Sequence, residues 1–368
     1  MKIDNEKNIH NEKQSIKGID EYYLLGRSGL RVAPLCLGAM TFGTEGGWGC
    51  DMETARKLFH RYLEVGGNFI DTADVYTNGH SEEMLGTFMA EAKNRNQLIV
   101  ATKYTFNTRP GDPNAGGNAR KNLYQALEGS LRRLKTDYID LYWLHAWDIF
   151  TPAEEVIASL NDMVRNGKVR YIGLSNTPAW YLARAQTLAE QQGYERICAL
   201  QFEYSLVERT IEREHIPAAC ELGMSICPWS PLGSGFLTGK YLRKNGGSGK
   251  GRLQTMKNSG NPAFAKFTER NWSILDTLLE VAKEIDRSPA QVAINWTMGR
   301  PGVVSTLIGA TRMNQLEDNL RALEFTIPKE LKARLDKVSA PELIFPYLFF
   351  SNMQEMVTGG VKVQRRSL

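Results

Sequence analysis

Eight short apolar runs of strand length constrain this chain more than any other feature: "APLCLG" (33–38), "NFID" (68–71), "LIVATK" (98–103), "YIDLYWLH" (138–145), "VRYIGLSN" (169–176), "ICALQF" (197–202), "MSICPWS" (224–230) and "VVSTLIG" (303–309). Between most of them, apolar residues fall at helical spacing, as in Ala55, Leu58, Phe59, Tyr62 and Leu63, or Leu123, Leu127, Leu131 and Leu134, or Val156, Leu160, Met163 and Val164. Strand then helix, repeated eight times at spacings mostly near ~30 residues, predicts an α/β fold, a single (β/α)8 TIM barrel. An open doubly wound sheet would need a GxGxxG turn after its first strand, and "LGAMTFG" does not fit that spacing. Asp51 reads as the cap of the first helix with Glu53 in its opening turn, and Ser81 as the cap before Glu82 and Glu83. The last interval is long. About 75 residues separate the seventh and eighth runs, enough for two helices (about 270–286 and 289–298) and a loop, "GKYLRKNGGSGKGRLQTMKNSGNP".

Composition narrows the partners. The 45 basic and 41 acidic residues among 368 give a net charge of +4, which advertises neither nucleic acid nor an anionic membrane, so the expected partner is a small molecule. Five cysteines without a CxxC pair argue against a disulfide framework and for a reducing, cytoplasmic setting. The polar leader (1–19) has no signal-peptide core, and no uncharged run approaches the roughly 20 residues of a membrane span. No HxxxH or Cys/His cluster suggests a metal, and His60 and His215 read as surface or boundary residues. A homo-oligomer is compatible with everything read here.

Parallel barrels carry their chemistry at the C-terminal ends of the strands. Those ends hold Asp71 with Tyr76, Lys103, His145, Ser175 with Asn176, Gln201, and Trp229 with Ser230. A single His or Lys after a strand has an ordinary structural explanation; four ionisable groups at equivalent positions point to a site. An ammonium beside a tyrosine favours the phenolate and lowers a pKa that is ordinarily about 10. Lys103 can be that cation, with Asp71 holding it charged and His145 donating to a substrate oxygen. Such a set suits proton delivery to a carbonyl oxygen. No Ser or Cys nucleophile is evident for acyl transfer. Reduction also needs a hydride, which no side chain supplies, so a nicotinamide cofactor is implied. Ser175, Asn176 and Gln201 could hold its carboxamide, Trp229 could face its ring, and "IGATRMNQLEDN" (308–319), with Arg312, opens a helix suited to phosphate.

These blocks resemble the aldo-keto reductase superfamily of NAD(P)H-dependent carbonyl reductases. "NFIDTADVYTNGHSEEMLG", "LIVATK", "SLRRLKTDYIDLYWLH", "GKVRYIGLSN", "CPWSPLGSGFLTGKY" and "LIGATRMNQLEDN" carry the likeness, in order, over roughly residues 20–335. The resemblance implies a catalytic tetrad of Asp71, Tyr76, Lys103 and His145. It implies cofactor contacts at Gly38, Ala39, Met40, Asp71, Ser175, Asn176, Gln201, Trp229, Ser230, Pro231, Leu232, Lys240, Arg252, Gly309, Thr311, Arg312, Gln315 and Asn319, with NADP(H) preferred and NAD(H) as the alternative. Tyr76, His145, Trp48, Tyr104 and Trp147 are candidates for the substrate wall. The substrate would be a small carbonyl compound or the corresponding alcohol. An N-terminal β-hairpin, a barrel over 20–336 and a tail over 337–368 packing on or near it complete the expected organisation. Similarity to bacterial general oxidoreductases and potassium-channel β subunits exceeds that to aldose reductase, so a partner-binding subunit with little turnover is the rival reading.

Two other readings fail on spacing. The short-chain dehydrogenases use YxxxK, and none of the 14 tyrosines has Lys four residues later. "NGGSGKGR" (245–252) is no P-loop, because Gly follows Lys250 and no Gly lies five residues before Gly249.

Overall fold

The computed structural model describes residues 18–244, 247–249, 251–351 and 353–363. Most of the leader expected at 1–19, residues 245–246 and 250 of the glycine-rich loop, and residues 352 and 364–368 of the tail lie outside them. A two-stranded hairpin, β1 (Tyr23–Leu24) and β2 (Arg31–Val32), comes first. Eight parallel strands follow: β3 (Leu35–Gly38), β4 (Phe69–Asp71), β5 (Ile99–Tyr104), β6 (Ile139–Leu144), β7 (Val169–Ser175), β8 (Ile197–Gln201), β9 (Ser225–Ile226) and β10 (Thr306–Ile308). All eight coincide with the apolar runs. Their order is β10-β3-β4-β5-β6-β7-β8-β9. The ring closes through single bonds rather than a ladder: Ile226 N donates to Gly302 O (2.7 Å) and Leu307 N to Pro228 O (2.9 Å). This is the (β/α)8 barrel.

Helices α1 (Met52–Glu64), α2 (His80–Ala92), α3 (Arg120–Leu134), α4 (Ala153–Arg165), α5 (Ala179–Gln192) and α6 (His215–Leu222) return the chain between strands. The long interval holds α7 (Arg252–Thr255), α8 (Glu269–Glu284) and α9 (Pro289–Met298), and α10 (Met313–Leu320), α11 (Lys329–Val338), α12 (Tyr347–Ser351) and α13 (Gln354–Thr358) end the described chain. Asp51 caps α1 by accepting from Thr54 N at 2.8 Å. Ser81 does not cap α2: Gly79, at φ 94, leads into the helix, and the buried Ser81 hydroxyl donates to Ala39 O (2.8 Å). None of the helices among the described residues is long and apolar enough to cross a membrane.

Strand periodicity sorts the side chains into two buried layers. Cys36, Phe69, Ala101, Leu141, Trp143, Ala199, Cys227 and Leu307 fill the barrel, joined by Leu25 and Val32 from the hairpin segment. Leu37, Ile70, Val100, Tyr142 and Leu144 lie in the other layer, with the helices. Gly173 on β7 makes room for this filling, because a Cβ there would lie 2.3 Å from the Trp143 ring. Beyond α11 the chain is tied to the barrel's flank: Arg209 donates to Ser339 Oγ (2.7 Å), Arg213 to Glu342 O (2.8 Å) and Tyr347 to Glu214 Oε1 (2.6 Å).

Candidate active site

Asp71 ends β4, and Lys103 lies one residue before the end of β5, in phase with the barrel filling, so both side chains meet above the core. The Lys103 side chain is fully buried. Its Nζ donates to Asp71 Oδ1, to Thr72 O (2.8 Å) and to Tyr76 Oη (3.3 Å). Gln201, ending β8, donates from Nε2 to the other Asp71 oxygen at 3.0 Å. A carboxylate held from two sides fixes the ammonium, and the ammonium fixes the phenol. Tyr76 reaches it on a 3-10 turn, Tyr76–Gly79, in which Thr77 and Asn78 adopt φ of 48 and 56. His145, after β6, sets its ring edge-on to Tyr76 (5.8 Å between centroids) and to Phe106 (4.7 Å).

Electrostatics define the protonation states. Burial alone would lower the Lys103 pKa, but Asp71 and Tyr76 outweigh it and hold the amine charged. Burial pushes Asp71 up, opposed by Lys103 and Gln201. Burial and then Lys103 hold His145 well below its usual pKa, so the imidazole is neutral. Tyr76 departs from the sequence reading. Lys103 does lower its pKa, but burial raises it more, and the net direction is upward. The phenol therefore keeps its proton at neutral pH.

Asn176, at φ 47, ties the neighbouring strand ends together. Its Nδ2 donates to His145 O and Ser175 Oγ (both 2.9 Å), and its Oδ1 accepts from Trp229 Nε1 (3.2 Å). Gly38 pairs with Asp71 across β3 and β4, and Ala39 and Met40 form the turn that follows. Ser230, at φ 56, starts a tight turn through Pro231 and Leu232, with Ser234 N donating to Ser230 Oγ (2.7 Å). Opposite, Gln315 Oε1 accepts from Thr311 N (2.8 Å), and Asn319 donates to Gly309 O (3.2 Å), which shapes the N-terminus of α10. Arg312 stands at that end as the N-cap residue. Partial burial and the Arg312 charge draw the Lys240 pKa down. Among the described residues, neither cation forms an ion pair with a carboxylate. An unpaired cation at a helix N-terminus, with a second cation that feels its charge, fits a phosphorylated nucleotide.

Arg252 follows Gly251, where an added Cβ would lie 2.8 Å from Lys240 Nζ. Its guanidinium covers the Trp48 ring at 4.4 Å and the Phe264 ring at 5.2 Å, and donates to Met40 Sδ at 3.4 Å. Its charge is felt by Tyr76. Trp147, on the loop after β6, packs against Trp180 and Tyr181 and donates from its backbone to Asn176 O (3.2 Å). Tyr104 does not line the site. It is one residue out of phase with Lys103, is fully buried, and stacks on Tyr142 between sheet and helices. The alternation of β5 carried that signal.

Three features had no sequence signal. Gln201 holds Asp71, although its strand-end position had suggested the cofactor carboxamide. Glu203, just after β8, pairs with Lys266 from the long interval at 2.8 Å, both side chains largely buried. Asp74, in the loop after β4, is buried beside Glu82, with Oδ1 unpartnered. Burial first and Glu82 second push its pKa up to about 8. A carboxyl neutral when folded and ionised when unfolded costs stability progressively as pH rises from about 4 to about 8. Asp74→Asn should thus be more stable than the parent by about 2 kcal/mol or more at pH 8, with the gap closing towards pH 4. Urea midpoints of both proteins across that range check this; parallel curves would refute it.

The chain is similar to known proteins over most of its length. Residues 34–340 match the model of the "Aldo/keto reductase family". An uncharacterized oxidoreductase, YrpG, of Bacillus subtilis is 36% identical over 86% of this chain and 95% of its own length. An aryl-alcohol dehydrogenase of Pestalotiopsis microspora is 34% identical (89% of this chain, 85% of its own), and a probable voltage-gated potassium channel subunit beta of Oryza sativa 36% (87% and 96%). Family and relatives together support an oxidoreductase acting on a small molecule. The chain belongs to the aldo/keto reductase family.

Proposed function

We propose that this protein reduces an aldehyde or ketone to the alcohol, or runs the reverse, with a nicotinamide cofactor and Tyr76 as the general acid. The observation that carries the reading is the buried Lys103 ammonium joining Asp71 to Tyr76, with a neutral His145 across the phenol ring. Such a cofactor, when bound, supplies the hydride. The carbonyl oxygen lies between Tyr76 and His145, and the imidazole N–H donates to it. As negative charge grows on that oxygen, the Tyr76 proton moves to it, and Lys103 stabilises the phenolate left behind. Asp71, held by Gln201, keeps Lys103 charged and in place. Asn176 anchors the His145 backbone and the Trp229 indole, so both walls are fixed before substrate arrives.

Lys240 and Arg312 would pair with the phosphates of such a cofactor, and a cation at Arg312 would favour NADP(H) over NAD(H) by pairing with the 2′-phosphate. By the family resemblance, Ser175, Gln201, Trp229, Ser230, Gly309, Thr311, Gln315 and Asn319 would contact the same cofactor, and Gly38, Ala39 and Met40 its nicotinamide side. Aryl-alcohol dehydrogenase activity in a relative supports an aromatic carbonyl or alcohol as the substrate class. The rice relative supports a second reading, a cofactor-binding subunit of a larger assembly. Loss of absorbance at 340 nm with 4-nitrobenzaldehyde separates them. Turnover with NADPH, faster than with NADH, is expected; tight cofactor binding without turnover would favour the second reading.

A further inference from the structure

Apolar side chains ordinarily turn towards the core and polar ones towards water, but the chain after α11 reverses that order. Its ties to the barrel's flank are polar. Arg209 and Arg270 both donate to Ser339, at Oγ (2.7 Å) and at the carbonyl (2.9 Å), Arg213 donates to Glu342 O (2.8 Å), and Tyr347 Oη donates to Glu214 Oε1 (2.6 Å). Past Val338, none of the described apolar residues joins the core. The segment 343–350 instead turns Leu343, Ile344, Phe345, Leu348, Phe349 and Phe350 to solvent, each between 44% and 80% exposed. Backbone bonds from Leu348 N to Ile344 O (3.0 Å) and from Phe349 N to Pro346 O (2.9 Å) gather them into one compact turn. The family match ends at residue 340, so this surface is no part of the shared barrel.

Size and charge say what covers it. The six side chains expose on the order of 600 Å² of apolar surface, the upper end of what a monomer carries in one patch. Two such faces laid together bury about 1,200 Å², which reaches the size of a stable specific interface before the exposed Met356 and Val357 add their share. No charged residue occurs between Glu342 and Glu355. A neutral apolar face can meet its own copy across a twofold axis, where a charged one would meet its own sign. A lipid surface is the poorer match, because both flanking charges are acidic where interfacial segments carry Lys and Arg.

We propose that residues 343–350 form the centre of a twofold interface between two copies of this chain, the Phe345, Phe349 and Phe350 rings of each packing against those of the other. The inference stands apart from the reductase reading and holds whether or not the chain turns over a carbonyl substrate.

Sedimentation equilibrium of the full chain tests it. At about 10 μM the parent should have twice the chain mass of 41.4 kDa. Phe345→Glu/Phe349→Glu, which puts carboxylates into both faces, should raise the dimer dissociation constant about 100-fold or more and leave the single mass, with an unchanged far-UV circular dichroism spectrum. Both residues are exposed in the single chain, so the barrel should tolerate the change. If the double variant does not fold, Leu343→Glu alone, on the same face, replaces it. A parent at the single mass, or a folded variant that keeps the parent's mass, would overturn the proposal. So would a single-mass parent that floats with vesicles of neutral and anionic phospholipid, a result that gives the surface to lipid.

Discussion

Tyr76→Phe is expected to lower kcat about 100-fold or more, with the NADPH dissociation constant within about two-fold of the parent. The substitution removes one oxygen. That oxygen is both the proton donor and the acceptor of the Lys103 hydrogen bond at 3.3 Å. The ring remains to pack against His145, so the walls should stand and the loss should fall on turnover rather than on binding. The pH profile adds a second check. Because burial raises the phenol pKa above its ordinary 10.0, the reduction rate should stay flat through neutral pH and fall only in alkaline solution, as the acid loses its proton. Near-parent turnover in Tyr76→Phe, or a rate that falls through pH 7, would remove Tyr76 from the role.

Lys103→Met carries the second large effect, on two observables at once. Turnover should drop by about 100-fold, since the charge that stabilises the phenolate is gone. Stability should fall by about 3–5 kcal/mol, because Asp71 is then left buried without its cation. Gln201 alone cannot replace an ammonium. The double variant Asp71→Asn/Lys103→Met separates charge from packing: it should recover most of the urea stability of the parent and none of its turnover. A double variant as unstable as the single one would mean that the loss was of side-chain volume.

The fold was largely legible because a parallel barrel writes one local pattern eight times. Each apolar run from Leu35–Gly38 to Thr306–Ile308 is a strand, and the long interval before β10 holds the helices expected there. Convergence of Asp71, Tyr76 and Lys103 was legible for a related reason: strand ends share a rim, and the chemistry of each residue type restricts what a cluster can do. What stayed hidden depends on phase, burial or distant neighbours. Tyr104 follows Lys103 by one residue, and that single step turns it away from the site. Spacing gives the ammonium beside the phenol, but not the burial that outweighs it and keeps Tyr76 protonated. Ser81 has the composition of a helix cap, yet the turn preceding it puts Gly79 in that position and sends the Ser81 hydroxyl to Ala39. Partners such as Gln201 with Asp71, or Glu203 with Lys266, lie tens of residues apart, where no local pattern connects them.

The most direct test of the account follows the hydrogen itself. With NADPH deuterated at the transferring C4 position and 4-nitrobenzaldehyde, mass spectrometry of the product should show nitrobenzyl alcohol carrying one deuterium at the benzylic carbon, formed in step with the loss of absorbance at 340 nm. Alcohol without deuterium, or labelled cofactor held tightly and left unoxidised, would contradict the reductase proposed for this site.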